Sequence, residues 1–216
     1  MPVVTALRAT KGGRIAVHVD GEYLCAVGES FVARWRLYKG RELDDDSLVQ
    51  MRTQASGERA LADAYRLLGH RARSRAELRR RLLLKEHEEV VVDTVLERLA
   101  EEGLLDDAEF ARRYVADKRT LGHWGSQRIR RGLAELGVAG PVIDAAAGIG
   151  RADGGGEDAE YARALAVLTA KGSPHPPLDA ARRRAYQALL RRGFAGGLAY
   201  RAVREWTGEP GPADLG

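Results

Sequence analysis

The stretch Ser74-Arg75-Ala76-Glu77-Leu78-Arg79-Arg80-Arg81-Leu82 combines a helix start with a narrow apolar stripe. A serine followed three residues later by a glutamate forms a capping box, in which each side chain can bond a backbone N–H of the other residue. Leu78 and Leu82 lie one helical turn apart, so they share one face. The stretch therefore predicts a helix that buries two leucines and carries arginines on its outer surface.

The same pattern occurs three times along the chain. Each occurrence has a pair of apolar residues one turn apart, with a helical segment before it and another after it. Units of this length are typical of stacked supersecondary modules, each too small to bury its apolar face alone. One compact bundle is the alternative at this stage. The aligned pairs are Leu78 and Leu82, Ile129 and Leu133, and Ala185 and Leu189.

The residues before the first repeat follow a different pattern. Ile15, Val17 and Val19 alternate with smaller or polar residues, and Asp20-Gly21 is a strong signal for a two-residue hairpin turn. This predicts a three-stranded meander over about residues 3–27, followed by a helix over 29–39 that Gly40 ends. We therefore expect a mainly α fold of three tandem three-helix repeats, preceded by a small β-meander plus helix.

We predict four divisions of the chain. They are a β-rich extension with its helix over residues 1–56, the first repeat over 57–105, the second repeat over 106–149, and a glycine-rich linker with the third repeat over 150–216. The linker prediction rests on the five glycines between Gly148 and Gly156.

Composition and motifs argue against several protein classes. The chain has 216 residues and a net charge of +4. One cysteine, Cys25, permits neither an internal disulfide nor a cysteine-rich zinc site, and the histidines lack ligand spacing. No apolar run approaches the roughly 20 residues of a membrane span, and no signal peptide is evident. No nucleophile elbow, phosphate loop or dinucleotide motif is present. We expect a cytoplasmic protein that is not an enzyme and needs no cofactor or metal.

Charge is sorted by helix. The middle helix of each repeat carries arginines beside its apolar stripe, whereas the helix that follows it in the first repeat is acidic. One interpretation is a solvated surface with ion pairs between neighbouring helices. The other is a ridge of basic residues that binds nucleic-acid phosphates or the acidic groove of a protein. The arginines recur at one register of the repeats, which favours this second interpretation. The candidate contacts are Arg75, Arg79, Arg80, Arg128, Arg130, Arg131, Arg183, Arg184 and Arg191.

Two further features have competing interpretations. Trp124, in the turn Gly122-His123-Trp124-Gly125, is the aromatic best placed to stack on an unpaired base. The stronger alternative is that Trp124 closes the core of its own repeat. Asp106 and Asp107 open a helix, so N-capping explains them better than paired catalytic carboxylates.

Three motifs, in this order, resemble the RecX family of RecA regulators. Ser74–Leu82 is similar to the family's Ser-x-x-Glu-Leu-x-x-Lys/Arg-Leu. Gly103-Leu104-Leu105-Asp106-Asp107-Ala108-Glu109-Phe110-Ala111 is similar to its Gly-hydrophobic-hydrophobic-Asp-Asp-x-x-aromatic-Ala turn. Arg128-Ile129-x-x-x-Leu133-x-x-x-Gly137-Val138 fits as well. The resemblance runs from about residue 61 to 147, and more loosely to 206.

This resemblance implies an elongated, curved array of repeats without catalytic activity. It implies binding in the groove of a RecA filament on single-stranded DNA, with inhibition of ATP hydrolysis, strand exchange and coprotease activity. DNA repair, homologous recombination and the SOS response would be modulated in this way. We expect a monomer without membrane contact, whose arginines pair with filament carboxylates or with phosphates of single-stranded or double-stranded DNA. The alternative is a helical-repeat DNA-binding protein or transcription regulator independent of RecA.

Overall fold

The computed structural model describes residues 1–148, 155–170 and 172–208, and most of them are helical. No helix in these ranges is both long and apolar enough to cross a membrane. The chain divides into two compact units, Met1–Leu105 and Asp106–Gly216. In chain order the elements are β1 Val4–Ala9, β2 Ile15–Val19, β3 Glu22–Val27, α1 Glu29–Arg34, α2 Asp45–His70, α3 Arg75–Leu83, α4 Glu89–Glu101, α5 Asp107–Thr120, α6 Ser126–Glu135, α7 Gly140–Ala147, α8 Gly155–Thr169, α9 Leu178–Arg192 and α10 Gly196–Trp206.

The first unit begins with the predicted meander. β1 pairs antiparallel with β2, and β2 pairs antiparallel with β3, which gives the sheet order β1-β2-β3. Asp20 and Gly21 have φ of 50° and 88°, as a two-residue hairpin turn requires. The sheet packs on α1 and α2 through Val17, Val27 and Phe31, all fully buried. The mainly α fold with a small N-terminal sheet is thus confirmed.

Two helix boundaries in this unit differ from those expected. The helix predicted over residues 29–39 ends at Arg34, and Arg36 then takes a φ of 47°, which lies outside the helical region. The stripe predicted over about 58–68 belongs to one helix of 26 residues, α2. This helix starts where Asp44 accepts a hydrogen bond from the Ser47 N–H at 2.6 Å. The division between residues 56 and 57 stays a prediction, and α2 runs across it.

The helices pack in three groups, with separate cores for α2 to α4, α5 to α7 and α8 to α10. The predicted register is confirmed, because the aligned residues are buried in all three. Their exposures are 0% for Leu78, Leu82, Ile129, Leu133 and Leu189, and 4% for Ala185. In the predicted linker, Gly148 ends α7 with a φ of 67°. Residues 149–154, which make up most of that linker, lie outside the described residues.

Each middle helix is followed by a residue in the left-handed region. Its φ is 62° at Glu86, 78° at Gly137 and 84° at Gly193. These three residues occupy one position in the register of the repeats. Glycine adopts this conformation freely, whereas a residue with a Cβ loses about 1–2 kcal/mol. Surrounding contacts must therefore hold Glu86 in place.

In the second unit, a backbone contact joins the second and third helix groups. The Gly125 N–H donates to the Arg192 carbonyl at 2.8 Å, and the Gln127 N–H donates to the Gly193 carbonyl at 3.1 Å. The unpaired N–H groups at the start of α6 thus meet the unpaired carbonyls at the end of α9. A Cβ on Gly125 would lie 2.4 Å from the Gly193 carbonyl oxygen, so the approach requires glycine.

Two glycine substitutions should change the free energy of unfolding in opposite directions. Gly125→Ala should destabilise the second unit by about 1–3 kcal/mol, because the added Cβ forces the two backbones apart. Gly57→Ala should stabilise the first unit by about 1 kcal/mol, because Gly57 lies inside α2 and a Cβ added there would meet no neighbouring atom within 4 Å. Urea unfolding followed by circular dichroism measures both changes, and equal effects would contradict the backbone contact.

Candidate interaction surface

A cap and a buried carboxylate fix the start of α3. The Ser74 hydroxyl oxygen accepts a hydrogen bond from the Glu77 N–H at 3.1 Å, as the capping box predicts. The buried Glu77 carboxylate accepts hydrogen bonds from Arg71 and Arg73. Since these arginines neutralise it, Glu77 can stay inside the module. These contacts fix the residue at which α3 begins. Because Leu78 is buried, they also fix which face of α3 carries the arginines.

Two adjacent arginines lie beside the apolar stripe on α3 (Arg79 and Arg80) and on α6 (Arg130 and Arg131), and the first of each pair is bound to the neighbouring helix. Arg79 donates from Nε to Asp93 on α4 at 2.8 Å and also pairs with Glu89. Arg130 pairs with Asp144 on α7 at 2.9 Å. Asp93 and Asp144 occupy one position in the register of the repeats. The hydrogen bond from Arg79 holds the pKa of Asp93 below its usual range. Arg79 and Arg130 therefore tie the middle helix to the third helix in the first two three-helix modules.

The second arginine of each pair is exposed. Within the described residues, no ion pair engages Arg80 or Arg131. Arg80 borders a shallow cleft of about 510 Å³ together with Leu83 and Leu84, and Leu84 is 73% exposed. The two interpretations of the charge thus apply to different residues: ion pairing describes Arg79 and Arg130, and an outward basic surface fits Arg80 and Arg131.

Trp124 lies between cations and the core of the second repeat. The Arg128 guanidinium carbon lies 3.9 Å from the centroid of the Trp124 ring, and Lys118 Nζ lies 5.0 Å from it. Trp124 is half-buried against the core that contains Ile129. Arg128 also donates to the Arg191 carbonyl at 3.3 Å. The backbone contact between the start of α6 and the end of α9 thus brings these two candidate arginines together. Trp124 therefore lies where the core-closing alternative places it, and base stacking by Trp124 stays a prediction.

The third repeat presents charge differently. Arg183 and Arg184 lie exposed on α9, and Arg191 is exposed near its end. Tyr186 and Tyr200 stand at the positions of the arginine and the aspartate that pair in the first two repeats. The remaining candidate, Arg75, is half-buried at the start of α3.

The sequence interpretation missed a buried polar cluster around Asp63 on α2. Its carboxylate accepts hydrogen bonds from Arg66 at 2.8 Å and from Lys85 at 3.2 Å, and His87 Nε2 lies 3.0 Å from it. Burial alone would raise the pKa of Asp63, but the hydrogen bonds from His87 and Lys85 outweigh burial and lower it. Since Lys85 and His87 flank Glu86, the cluster holds the left-handed turn after α3.

In the described ranges, no group of three histidine, cysteine, aspartate or glutamate residues is placed to hold a metal ion. The fold and this surface define a class of protein built from three-helix modules with arginine-bearing outer faces. Residues 60–99 match the first three-helix domain of RecX, and residues 106–146 match the second.

Two curated relatives extend the match over most of the chain. Regulatory protein RecX of Levilactobacillus brevis is 32% identical over 200 residues, which cover 92% of this chain and 74% of the relative. Regulatory protein RecX of Leuconostoc citreum is 28% identical over 196 residues, covering 90% and 73%. The chain belongs to the RecX family, as the sequence motifs predicted.

Solved structures share the fold. A crystal structure of regulatory protein RecX superposes with a TM-score of 0.64 at 22% identity, covering 95% of this chain and 100% of that one. RecX from Lactobacillus salivarius superposes with a TM-score of 0.60 at 17% identity, covering 70% and 96%.

Neighbouring arginines on α3 should differ in their effect on stability. Arg79→Gln should lower the urea midpoint of the first unit because it removes the ion pairs to Asp93 and Glu89. Arg80→Gln should leave that midpoint unchanged because Arg80 has no such partner among the described residues. A double-mutant cycle with Asp93→Asn measures the coupling, and zero coupling for Arg79 would contradict the assignment.

The Asp63 cluster should make stability depend on pH in acid. Because folding lowers the pKa of Asp63, its contribution is present above the ordinary value of 3.8 and is lost as the pH falls through the folded-state pKa. Asp63→Asn should be less stable than the parent at pH 7 and should lose less stability on acidification. Urea midpoints at stepped pH test this, and parallel curves for the two proteins would refute it.

Proposed function

We propose that the chain regulates RecA by binding in the groove of a RecA filament on single-stranded DNA and inhibiting its ATPase, strand-exchange and coprotease activities. Membership of the RecX family supports a regulatory role. The observation that carries the proposal is the repetition of an exposed arginine without an ion pair among the described residues, Arg80 in the first module and Arg131 in the second.

These arginines suit a repeating acceptor. A guanidinium offers five N–H donors in a planar fork and binds a carboxylate or phosphate through two parallel hydrogen bonds. Ion pairs occupy Arg79 and Arg130, whereas Arg80 and Arg131 form no ion pair with a described residue, so their donors would serve a partner. A filament presents the same chemical groups at regular intervals. Each of the two modules carries an arginine at the same register, so each can bind a copy of one repeated acceptor.

The surroundings of Arg80 favour a protein groove over bare nucleic acid. Leu84 is 73% exposed beside it, and Ala76 and Leu83 border the same cleft. Protein interfaces commonly combine an arginine with apolar contacts at their centre. A phosphate backbone offers charge but little apolar surface. The alternative, a DNA-binding regulator independent of RecA, gains no support from these apolar neighbours.

The remaining candidates belong to the same proposal. Arg75, Arg128, Arg183, Arg184 and Arg191 would add ion pairs with filament carboxylates or with phosphates of single-stranded or double-stranded DNA. Arg79 and Arg130 would contribute only the N–H donors that their own ion pairs leave unused, and Trp124 would stack on a base. The protein would act in the cytoplasm as a monomer, without catalysis of its own and without a cofactor.

RecA's ATP hydrolysis on single-stranded DNA tests the proposal. The parent protein should inhibit it when present at less than one copy per RecA. Arg80→Gln combined with Arg131→Gln should raise the concentration for half inhibition by about tenfold, which corresponds to ~1.4 kcal/mol of binding. The reason is the loss of two charge-assisted contacts while the ion pairs of Arg79 and Arg130 remain.

The matched control is Arg98→Gln combined with Arg112→Gln. It removes the same charge from two exposed arginines that pair with glutamates three or four residues away in the chain, Glu102 and Glu109. The control should inhibit like the parent, and circular dichroism should show equal helicity for all three proteins. Full inhibition by the Arg80/Arg131 variant would remove these residues from the mechanism. No inhibition by the parent, together with sequence-dependent DNA binding, would favour the RecA-independent alternative.

A further inference from the structure

A cleft in the first unit lies between β3 and α2, apart from the arginine surface of α3. It has a volume of about 340 Å³. Residues 23–26 of β3 form one wall, and Arg52, Ala55, Ser56 and Arg59 of α2 form the other. The proposed function assigns nothing to it.

The β3 wall is the edge of the sheet. The order β1-β2-β3 gives β3 a partner strand on one side. Successive side chains of a strand point to opposite faces, so a cleft lined by four consecutive residues follows the edge of the strand. The edge of a sheet presents unpaired N–H and C=O groups. In the described ranges, residues 22–26 make no backbone hydrogen bond outside the ladder with β2.

The α2 wall has two small side chains in its middle and an arginine at each end. Its four residues follow the spacing of a single helix face. Ala55 is buried and Ser56 is half-buried at the floor of the cleft, whereas Arg52 and Arg59 are both exposed. Within the described residues, neither arginine has an ion pair, and the neighbouring Glu58 pairs with Arg34 at 3.5 Å. Every residue of the lining is neutral or basic.

We propose that this cleft binds an extended acidic segment of a partner protein, which adds to the edge of β3 as a fourth strand. The main chain of the segment would bond the free edge of β3, and its carboxylates would meet Arg52 and Arg59. A nucleic-acid strand is the competing polyanion. Its phosphodiester backbone carries acceptors without regularly spaced donors, so it matches a strand edge less well than a peptide does.

Cys25 provides a local reporter of occupancy. It is the single cysteine of the sequence, is half-buried and lies in the β3 wall. Burial raises the pKa of the Cys25 thiol, and the charges of Arg14 and Arg52 act against this rise. Alkylation by iodoacetamide under mildly alkaline conditions therefore reports on access to the cleft. Binding at any distant surface leaves this rate unchanged.

The probe is a short fluorescein-labelled peptide of alternating aspartate and valine, added to the full chain at low salt. Fluorescence anisotropy should show binding. Peptide at ten times its dissociation constant should slow Cys25 alkylation by about tenfold, by mass action. The same peptide with alternate backbone nitrogens methylated keeps every charge but loses strand hydrogen bonds, and it should not protect Cys25.

Arg52→Gln combined with Arg59→Gln should weaken peptide binding by about tenfold. Arg98→Gln combined with Arg112→Gln, with the same loss of charge elsewhere, should bind like the parent. The ratio of alkylation rates with and without peptide is compared within each variant, because Arg52 itself influences the thiol.

Three results would overturn the proposal: no binding, binding without protection of Cys25, or equal protection by the methylated peptide. Protection by oligothymidylate and not by the peptide would also overturn it, in favour of a nucleic-acid site. None of these measurements contains RecA, so their failure leaves the proposed function in place. In the same way, a failure of the RecA ATPase test leaves the proposed peptide site in place.

Discussion

Each three-helix module depends on the burial of two apolar side chains, one turn apart, on its middle helix. Leu78 and Leu82 fill this role in the first module, and Ile129 and Leu133 fill it in the second. Because each middle helix gives the core only a narrow apolar stripe, positions beside that stripe on α3 and α6 stay exposed, among them Arg80 and Arg131. Arginine can occupy that surface without disturbing the core. The small size of each module is therefore what makes a repeated basic surface possible.

Local patterns predicted much of this architecture. The caps at Ser74 and Asp106 and the hairpin at Asp20-Gly21 were found because each depends on residues within one turn of the chain. The length of α1 and the continuity of α2 were missed. Gly57 weakens the local preference for helix, and the two cores that α2 packs against override that weakness.

The difference between Arg79 and Arg80 lies beyond local patterns. Both lie outside the apolar stripe, and what separates them is an aspartate on the next helix. The sequence did contain a sign of it, because Asp93 and Asp144 share one register position. The cluster around Asp63 had no such sign, since its members come from separate elements. The other two repeats have glycine at the position of Glu86. The first repeat lacks that glycine, so contacts of the Asp63 cluster must hold the left-handed turn there.

The uninterrupted helix α2 also constrains how this chain can change in evolution. Its first half supplies Met51 and Ala55 to the core under the sheet, and its second half supplies Ala60 and Ala64 to the first three-helix core. At about 100° per residue, inserting or deleting one residue between these halves would turn one core away from its helix face. Insertions or deletions in this segment are therefore tolerated only when they add or remove close to a whole number of helical turns. The sheet and the first module thus keep a fixed angle to each other about the axis of α2.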